Sequence, residues 1–543
     1  MNEVSGTAGS ADNSEVIKNL QERLSQLEKQ LSEQKDLTPE EEKDAAFNIS
    51  KKDDDELEFR ISEFWLPKLG IFVFIVGVVF CLTLPFEGIH PTIPSICGYA
   101  LALAIMFLGF YSKKSFEQFS GYFIGGSAAI AYLSTLRLYF FGAETVLGSW
   151  FFELLGLLFV VSTTLWYAEK NKSIYLASLG IFLGYFTALT VENFYLFFII
   201  ILAASSFSVY LFLQNEWQSQ LVFAIVLAYL THFFWFIGNP FFQNTFDLLK
   251  NEVNLFFILG YISVFGFGIL KRKENTSEEF LDIASSLLNS AAGYGLFLII
   301  TLLNTSPYFG ILHLFAAVIF LTFAVLFWVR ERSLYSTFIY AMTGYAALSV
   351  AIIFQFDKPW NMILLCWQSL LVLSTAVWFK SRFIIVTIFI IFVLVLIAYL
   401  ISYWTLQIEA ISFGLTALIS ARILNWQKDR LELKTEQMRN AYLIIALFWI
   451  PYVFYCVLSS VYVGLSLLLL SLVYFGMSKI LKNLKYRWMA VMTLLITVFY
   501  LMVFGITNPD TTYKIISFLA AGIVLILTSV AYSRIKAKSV RKV

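Results

Sequence analysis

Charge is what this sequence has least of. Asp, Glu, Lys and Arg supply 14% of its 543 residues, against about 25% in an average soluble domain. A chain so poor in charge cannot cover itself with polar surface, which excludes an ordinary water-soluble globule. The net charge of +1 gives no pull toward nucleic acid, and no compact basic aromatic motif supports such a partner. Cysteine is scarce too. Cys81, Cys97, Cys366 and Cys456 each lie inside an apolar run, without the spacing of a disulfide framework or metal site. Cys81 and Cys97 could meet at one end of a helical hairpin, but two small buried residues are the better reading. The only histidines are His90, His232 and His313. No His-x-x-x-His or His/carboxylate spacing accompanies them, so no metal is expected, and nothing calls for a cofactor.

What the chain has is apolar length. Hydrophobic residues make up 59% of it and Phe alone occurs 56 times. From Phe64 onward, apolar runs of 17–25 residues recur between short polar breaks. Each is long enough to cross a hydrocarbon core of about 30 Å as a helix. The pattern predicts an all-α polytopic membrane domain over 64–533 with eighteen spans, packed as hairpins, in a lipid bilayer. The third and fourth spans are placed at 119–141 and 147–167. Those at 173–190 and 408–424 are short enough to be tilted or re-entrant.

The first 63 residues differ in kind. Residues 1–14 are small and polar, with the composition of a disordered segment. Over 15–36, Ile17, Leu20, Leu24, Leu27 and Leu31 recur in steps of three and four, the seam of a short coiled coil through which the chain could self-associate or bind a protein partner. An amphipathic tail without a partner fits the same pattern. Residues 37–63 form a charged linker and 534–543 a basic tail. No cleavable leader is expected, since the first apolar run starts near Phe64 without an early basic region.

Charge tests the span count independently. If the amino tail is cytoplasmic and the spans alternate, the cytoplasmic loops and tail hold 25 Lys and Arg, against Lys250, Lys358 and Lys514 outside. That bias is the positive-inside pattern and puts both termini in the cytoplasm. A single missed span would reverse it downstream, and it does not reverse. No outward loop exceeds the roughly 15 residues of 238–252, which leaves no room for an external folded domain.

Within the spans, small residues mark packing faces, because helices in lipid associate by close approach. Gly121, Gly125 and Ala129 form one such face, and Gly180 with Gly184 a second. Gly-Tyr occurs six times, at 98, 121, 184, 260, 293 and 344, where composition alone gives about 1.4. That excess hints at duplicated hairpins.

Arg137 is the charged residue most out of place. Counting eight residues back from a turn near Thr145 reaches Arg137, and eight forward reaches Glu153. An antiparallel hairpin therefore sets the two at similar depth, and an intramembrane ion pair is expected. Snorkelling to the interface is the neighbouring structural reading, and an anion or headgroup site the functional one. His232 and His313 fall toward outward span ends, as interfacial residues or part of an outward vestibule. Gln368 and Asn289, with their serine neighbours, fit interhelical hydrogen bonds or a polar transport path.

The segments "WLPKLGIFVFIVGVVF" (65–80), "GGSAAIAYL" (125–133) and "ASLGIFLGYFTALT" (177–190) together resemble a family of large bacterial membrane proteins, the domain of unknown function 2339. The resemblance covers residues 15–200 and departs after Gly180, where Ile181 and Tyr185 replace a glycine and a proline. It implies a coiled-coil tail, a long train of helices and a bacterial inner-membrane location, but no chemistry.

Three functions compete. A transporter or flippase-like protein for a small or lipid-linked envelope substrate fits the helix count and polar faces. A scaffold or envelope-assembly component recruited through the tail fits the seam. A membrane enzyme fits worst, because no outward loop supplies acid–base groups within reach of one another.

Overall fold

The computed structural model describes residues 66–84, 89–113, 117–141, 145–239, 253–271, 280–303, 308–331, 333–378, 382–403, 406–426, 436–505 and 515–524, with Phe241 and Ile526 singly. The expected disordered segment 1–14, coiled coil 15–36, linker 37–63 and tail 534–543 lie outside them. Every described element is helical. The chain divides into two compact units, residues 1–179 and 180–543.

The first unit contains α1 (Leu66–Thr83), α2 (Thr92–Ser112), α3 (Glu117–Arg137) and α4 (Trp150–Lys170), and the opening turn of α5 (Ile174–Leu189). The second holds the rest of α5, then α6 (Phe194–Asn215), α7 (Gln218–Ile237), α8 (Val253–Leu270), α9 (Phe280–Leu303), α10 (Phe309–Leu326) and α11 (Leu334–Gln355). It continues with α12 (Trp360–Trp378), α13 (Arg382–Ser402), α14 (Ile411–Trp426), α15 (Glu436–Val457), α16 (Ser460–Ile480), α17 (Leu484–Tyr500) and α18 (Ile515–Val524).

Each of the eighteen apolar runs thus carries a helix. Fourteen described helices are long and apolar enough to cross a membrane, and the molecule is a multi-pass membrane protein. The short run at 408–424 opens with a 3-10 turn, Ile408–Ala410, and continues in α14 to Trp426, which brings it to 19 residues. The run at 173–190 remains short, as a 16-residue helix. Hydrocarbon offers no hydrogen bonds, so the helix is the conformation that keeps these backbones satisfied. Side chains mark several starts. Asn193 Oδ1 accepts from the amides of Tyr195 and Leu196, Ser149 Oγ from Phe151 and Asn483 Oδ1 from Lys485, the usual N-cap roles.

Predicted boundaries move on both sides of the turn between α3 and α4, and α4 covers Trp150–Lys170 rather than 147–167. The third helix ends at Arg137, four residues early, although Leu138–Phe141 is just as apolar. There the chain turns, and the Leu138 carbonyl accepts from the amides of Val146 and Leu147 instead.

Close approach in the first unit centres on small residues. Ser95, Gly98, Ala102 and Gly109 are the buried positions of α2, and α2 packs along α3. A Cβ at Gly98 would meet Ser134 Oγ, and one at Gly109 would lie 2.9 Å from Ile124 Cγ1. Ser120 Oγ closes this contact by donating to the Gly109 carbonyl at 2.7 Å. On the opposing helix, a Cβ at Gly125 would stand 2.7 Å from the Tyr175 ring, and Ala129 is buried. Gly121 does not belong to that close face, because nothing lies within 4 Å of where its Cβ would be. It sits a turn nearer the helix start, beyond the reach of Tyr175. Gly180 and Gly184 are both buried.

In the second unit, sequential hairpins such as α10–α11, α14–α15 and α16–α17 pack along their length. Contacts that skip a helix knit them together, among them α6 with α8, α7 with α9, and α12 with α14. Trp449 Nε1 donates to the Ala410 carbonyl at 2.7 Å, and Ser471 Oγ to Ala490 at 2.9 Å. Glu436 pairs with Arg439 at 3.1 Å and Lys485 at 2.9 Å, bridging α15 to α17.

Candidate functional site

Arg137 closes α3 with its side chain 3% exposed. Nη1 donates to the backbone carbonyl of Leu82, in the last turn of α1. The last four carbonyls of a helix lack partners within it, and a cation there opposes the negative end of the helix dipole. Arg137 is therefore a cap supplied by α3 to α1. Glu153 stands in the first turn of α4, 2% exposed, with Oε1 lacking a hydrogen-bond partner. Among the described residues no ion pair joins it to Arg137, contrary to the expected contact. Depth along a hairpin says nothing about direction around each helix, and Arg137 turns toward α1.

Arg137→Ala should accordingly lose about 1–3 kcal/mol of stability by uncapping the Leu82 carbonyl. Combined with Glu153→Ala, the losses should add within about 0.5 kcal/mol, as for uncoupled sites. Unfolding titrations of the four proteins in mixed micelles measure both numbers.

The first unit also contains an apolar groove of about 640 Å³, bounded by α2, α3, α4 and Leu176 of α5. Ile124, Ala128, Ala131 and Thr135 form its α3 wall, continued by Leu138 of the turn, while Phe152, Gly156, Phe159, Thr163 and Tyr167 run along α4. Gly156 keeps that wall thin: a Cβ there would lie 2.9 Å from Thr135 Cγ2. Leu103, Phe152, Phe159 and Trp166 line the groove and are also exposed, so its mouth opens on the surface that lipid contacts. From Phe152 to Tyr167 the groove follows fifteen residues of α4, roughly 22 Å by helical rise. Its few polar groups satisfy themselves. Tyr99 and Thr135 share a hydrogen bond of 2.8 Å, and the Thr163 and Thr164 hydroxyls donate back to their own helix.

Polar side chains in the second unit form interhelical links. Asn289 of α9 accepts from Tyr229 of α7 at 2.7 Å and donates to the Tyr340 hydroxyl of α11 at 2.8 Å and to the Ile262 carbonyl of α8 at 3.0 Å. One amide thus ties four helices. Gly293, one turn on, leaves room for the Tyr229 hydroxyl, which would lie 2.8 Å from a Cβ there. Gln368 donates to the Tyr345 carbonyl at 2.8 Å and exchanges hydrogen bonds with Ser349, beside a cavity of about 120 Å³.

The side chains of His232 and His313 face the protein interior rather than an open vestibule or the lipid surface. Both are fully buried, because each sits on the inward stripe of its helix, which position along the chain does not reveal. Thr301 and Tyr294 partner the two ring nitrogens of His313 at 3.0 and 3.2 Å. His232 lies among Phe198, Trp235 and Tyr261. Only His90 is exposed, beside Thr92. Cys81, Cys97 and Cys456 are exposed and Cys366 alone is buried, which corrects the expectation for the first pair. Among the described residues no group of three or more His, Cys, Asp or Glu is placed to hold a metal ion.

The six expected site residues are therefore dispersed. Arg137 and Glu153 belong to the first unit and His232, Asn289, His313 and Gln368 to the second, with separate neighbours. The groove was missed altogether. Its only signal in the sequence was the Gly98-x-x-x-Ala102 spacing on α2, a close-packing stripe of which Ala102 also lines the groove.

No family model, curated protein or solved structure matches this chain.

Proposed function

We propose that this multi-pass membrane protein is a transporter or flippase-like protein that accepts a lipid-linked substrate by its acyl chain. The groove of the first unit carries the reading. It is apolar, about 640 Å³ in volume, within the range of small-molecule sites, and rimmed by exposed aromatic side chains. Its length along α4 exceeds half of a hydrocarbon core of about 30 Å, so a chain lying in it would pass the depth of one leaflet. The self-satisfied hydroxyls on its wall offer no charge to hold a headgroup, which leaves the headgroup free to move along the mouth.

The location proposed with it is the bacterial inner membrane, both termini cytoplasmic, as a member of the domain of unknown function 2339. The loop-charge bias and the quoted segments support this. Reporter fusions after Lys172, Arg332 and Lys485 should read cytoplasmic, and fusions near Asn193, Asn304 and Pro509 external. A reversed pair among the later positions would contradict the alternation.

The function is tested by reconstituting the purified protein into vesicles with a fluorescent phospholipid and following its loss from the outer leaflet. Translocation above protein-free vesicles supports the reading. Its absence, with self-association that requires residues 15–36, would favour a scaffold recruited through the tail.

A further inference from the structure

Among the described residues, three side chains of α7 and α8 are buried with every polar atom lacking a hydrogen-bond partner, beside Gln220, of which only the amide oxygen lacks one. His232 is fully buried, and neither ring nitrogen has a hydrogen-bond partner. The Tyr261 hydroxyl and both amide atoms of Asn254 are in the same condition. The His232 and Tyr261 rings lie 5.9 Å apart between centroids. Asn254 and Tyr261 are seven residues apart on α8, about 10.5 Å by helical rise. His232 stands five residues from the end of α7, between those two levels if the consecutive spans alternate.

Buried polar groups in folded proteins are almost always paired. This unit follows the rule nearby, where Asn289, Tyr229 and Tyr340 satisfy one another. Asn254 of α8 breaks it, and so does the His232 neighbourhood, at both the imidazole and the Tyr261 hydroxyl. Its walls are aromatic: Phe198 stacks on the imidazole at 4.9 Å, with Trp235 at 6.0 Å and Phe197 at 6.5 Å. No Asp, Glu, Lys or Arg occurs anywhere in α5, α6, α7 or α8. A charged guest would find no counter-charge on these four helices, and burying it would be costly.

We propose that His232 and Tyr261, with Asn254 at the start of α8, bind an uncharged guest bearing a hydroxyl. A neutral imidazole offers one donor and one acceptor, a phenol can do either, and an amide has both. A hydroxyl that donates and accepts at once matches His232 and Tyr261, while Asn254, about 10.5 Å along α8, takes a second hydroxyl or water. Two sources supply it: ordered water, or the hydroxyl of a neutral solute. The site lies in the second unit and does not depend on the groove of the first.

The sign of a substitution decides between occupied and empty. Removing a buried group that has no partner relieves its desolvation and stabilises, whereas removing one bonded to a guest loses that bond. Tyr261→Phe and His232→Phe, in the full chain in nanodiscs, should each lower Tm by a few degrees. Radiolytic hydroxyl-radical footprinting of the unsubstituted protein, which marks buried side chains touching bound water, needs no variant to fold. Labelling of Tyr261 without a selective effect of glycerol assigns the guest as water. Glycerol that raises the Tm of the unsubstituted protein more than that of either variant assigns a hydroxylated solute. Variants at least as stable as the parent, with Tyr261 unlabelled and no selective glycerol effect, overturn the proposal.

Discussion

Asn289→Leu should destabilise the second unit by about 2 kcal/mol. Single interhelical hydrogen bonds in membranes average only about 0.6 kcal/mol, but this amide makes three, to Tyr229, Tyr340 and the Ile262 carbonyl. Leucine fills a similar volume, so the loss comes from stranding buried partners rather than from a cavity. Ser206→Ala provides the scale. Ser206 is exposed on α6 and bonds only its own helix, to the Leu202 carbonyl, and its loss should be near zero. Reversible unfolding in lipid–detergent mixtures compares the two. Equal effects would mean that the network contributes nothing beyond helix-surface polarity.

The largest functional effect is expected from Ala131→Trp. Ala131 lies on the α3 wall of the groove between Ala128 and Thr135, so an indole there would occupy the space proposed for an acyl chain. Lipid translocation should fall by about tenfold or more, equivalent to ~1.4 kcal/mol on the barrier. Leu155→Trp is the matched control. Leu155 is 48% exposed on α4 and does not line the groove, and its rate should stay within about twofold, near RT ln 2 or ~0.4 kcal/mol. Comparable losses in both variants would point to general damage.

Helices were legible in the sequence because the rule behind them is local. A run long enough to span hydrocarbon has no other way to satisfy its backbone, and each of the eighteen runs became a helix. The end of α3 was not legible, because Leu138 and its neighbours are as apolar in the turn as they would be in a helix. The site residues divide along the same line. Asn289 and Gln368 were recognisable as interhelical donors from polarity alone. Arg137 was recognisable as unusual, but its partner on α1 is 55 residues away and no hairpin arithmetic reaches it. For His232 and His313, position along the span suggested the interface, while the inward direction of the side chain was fixed by which helices pack there. The groove needed three neighbouring helices at once, and no single segment encodes it.

A photoreactive phospholipid with a diazirine near the middle of one acyl chain tests the central claim most directly. After irradiation in vesicles and peptide mapping, adducts should concentrate on groove residues such as Met106, Ala131 and Phe159, and Ala131→Trp should remove them. Adducts spread evenly over lipid-facing positions outside the groove, such as Leu155, and unchanged by Ala131→Trp, would contradict an acyl-chain site in the first unit.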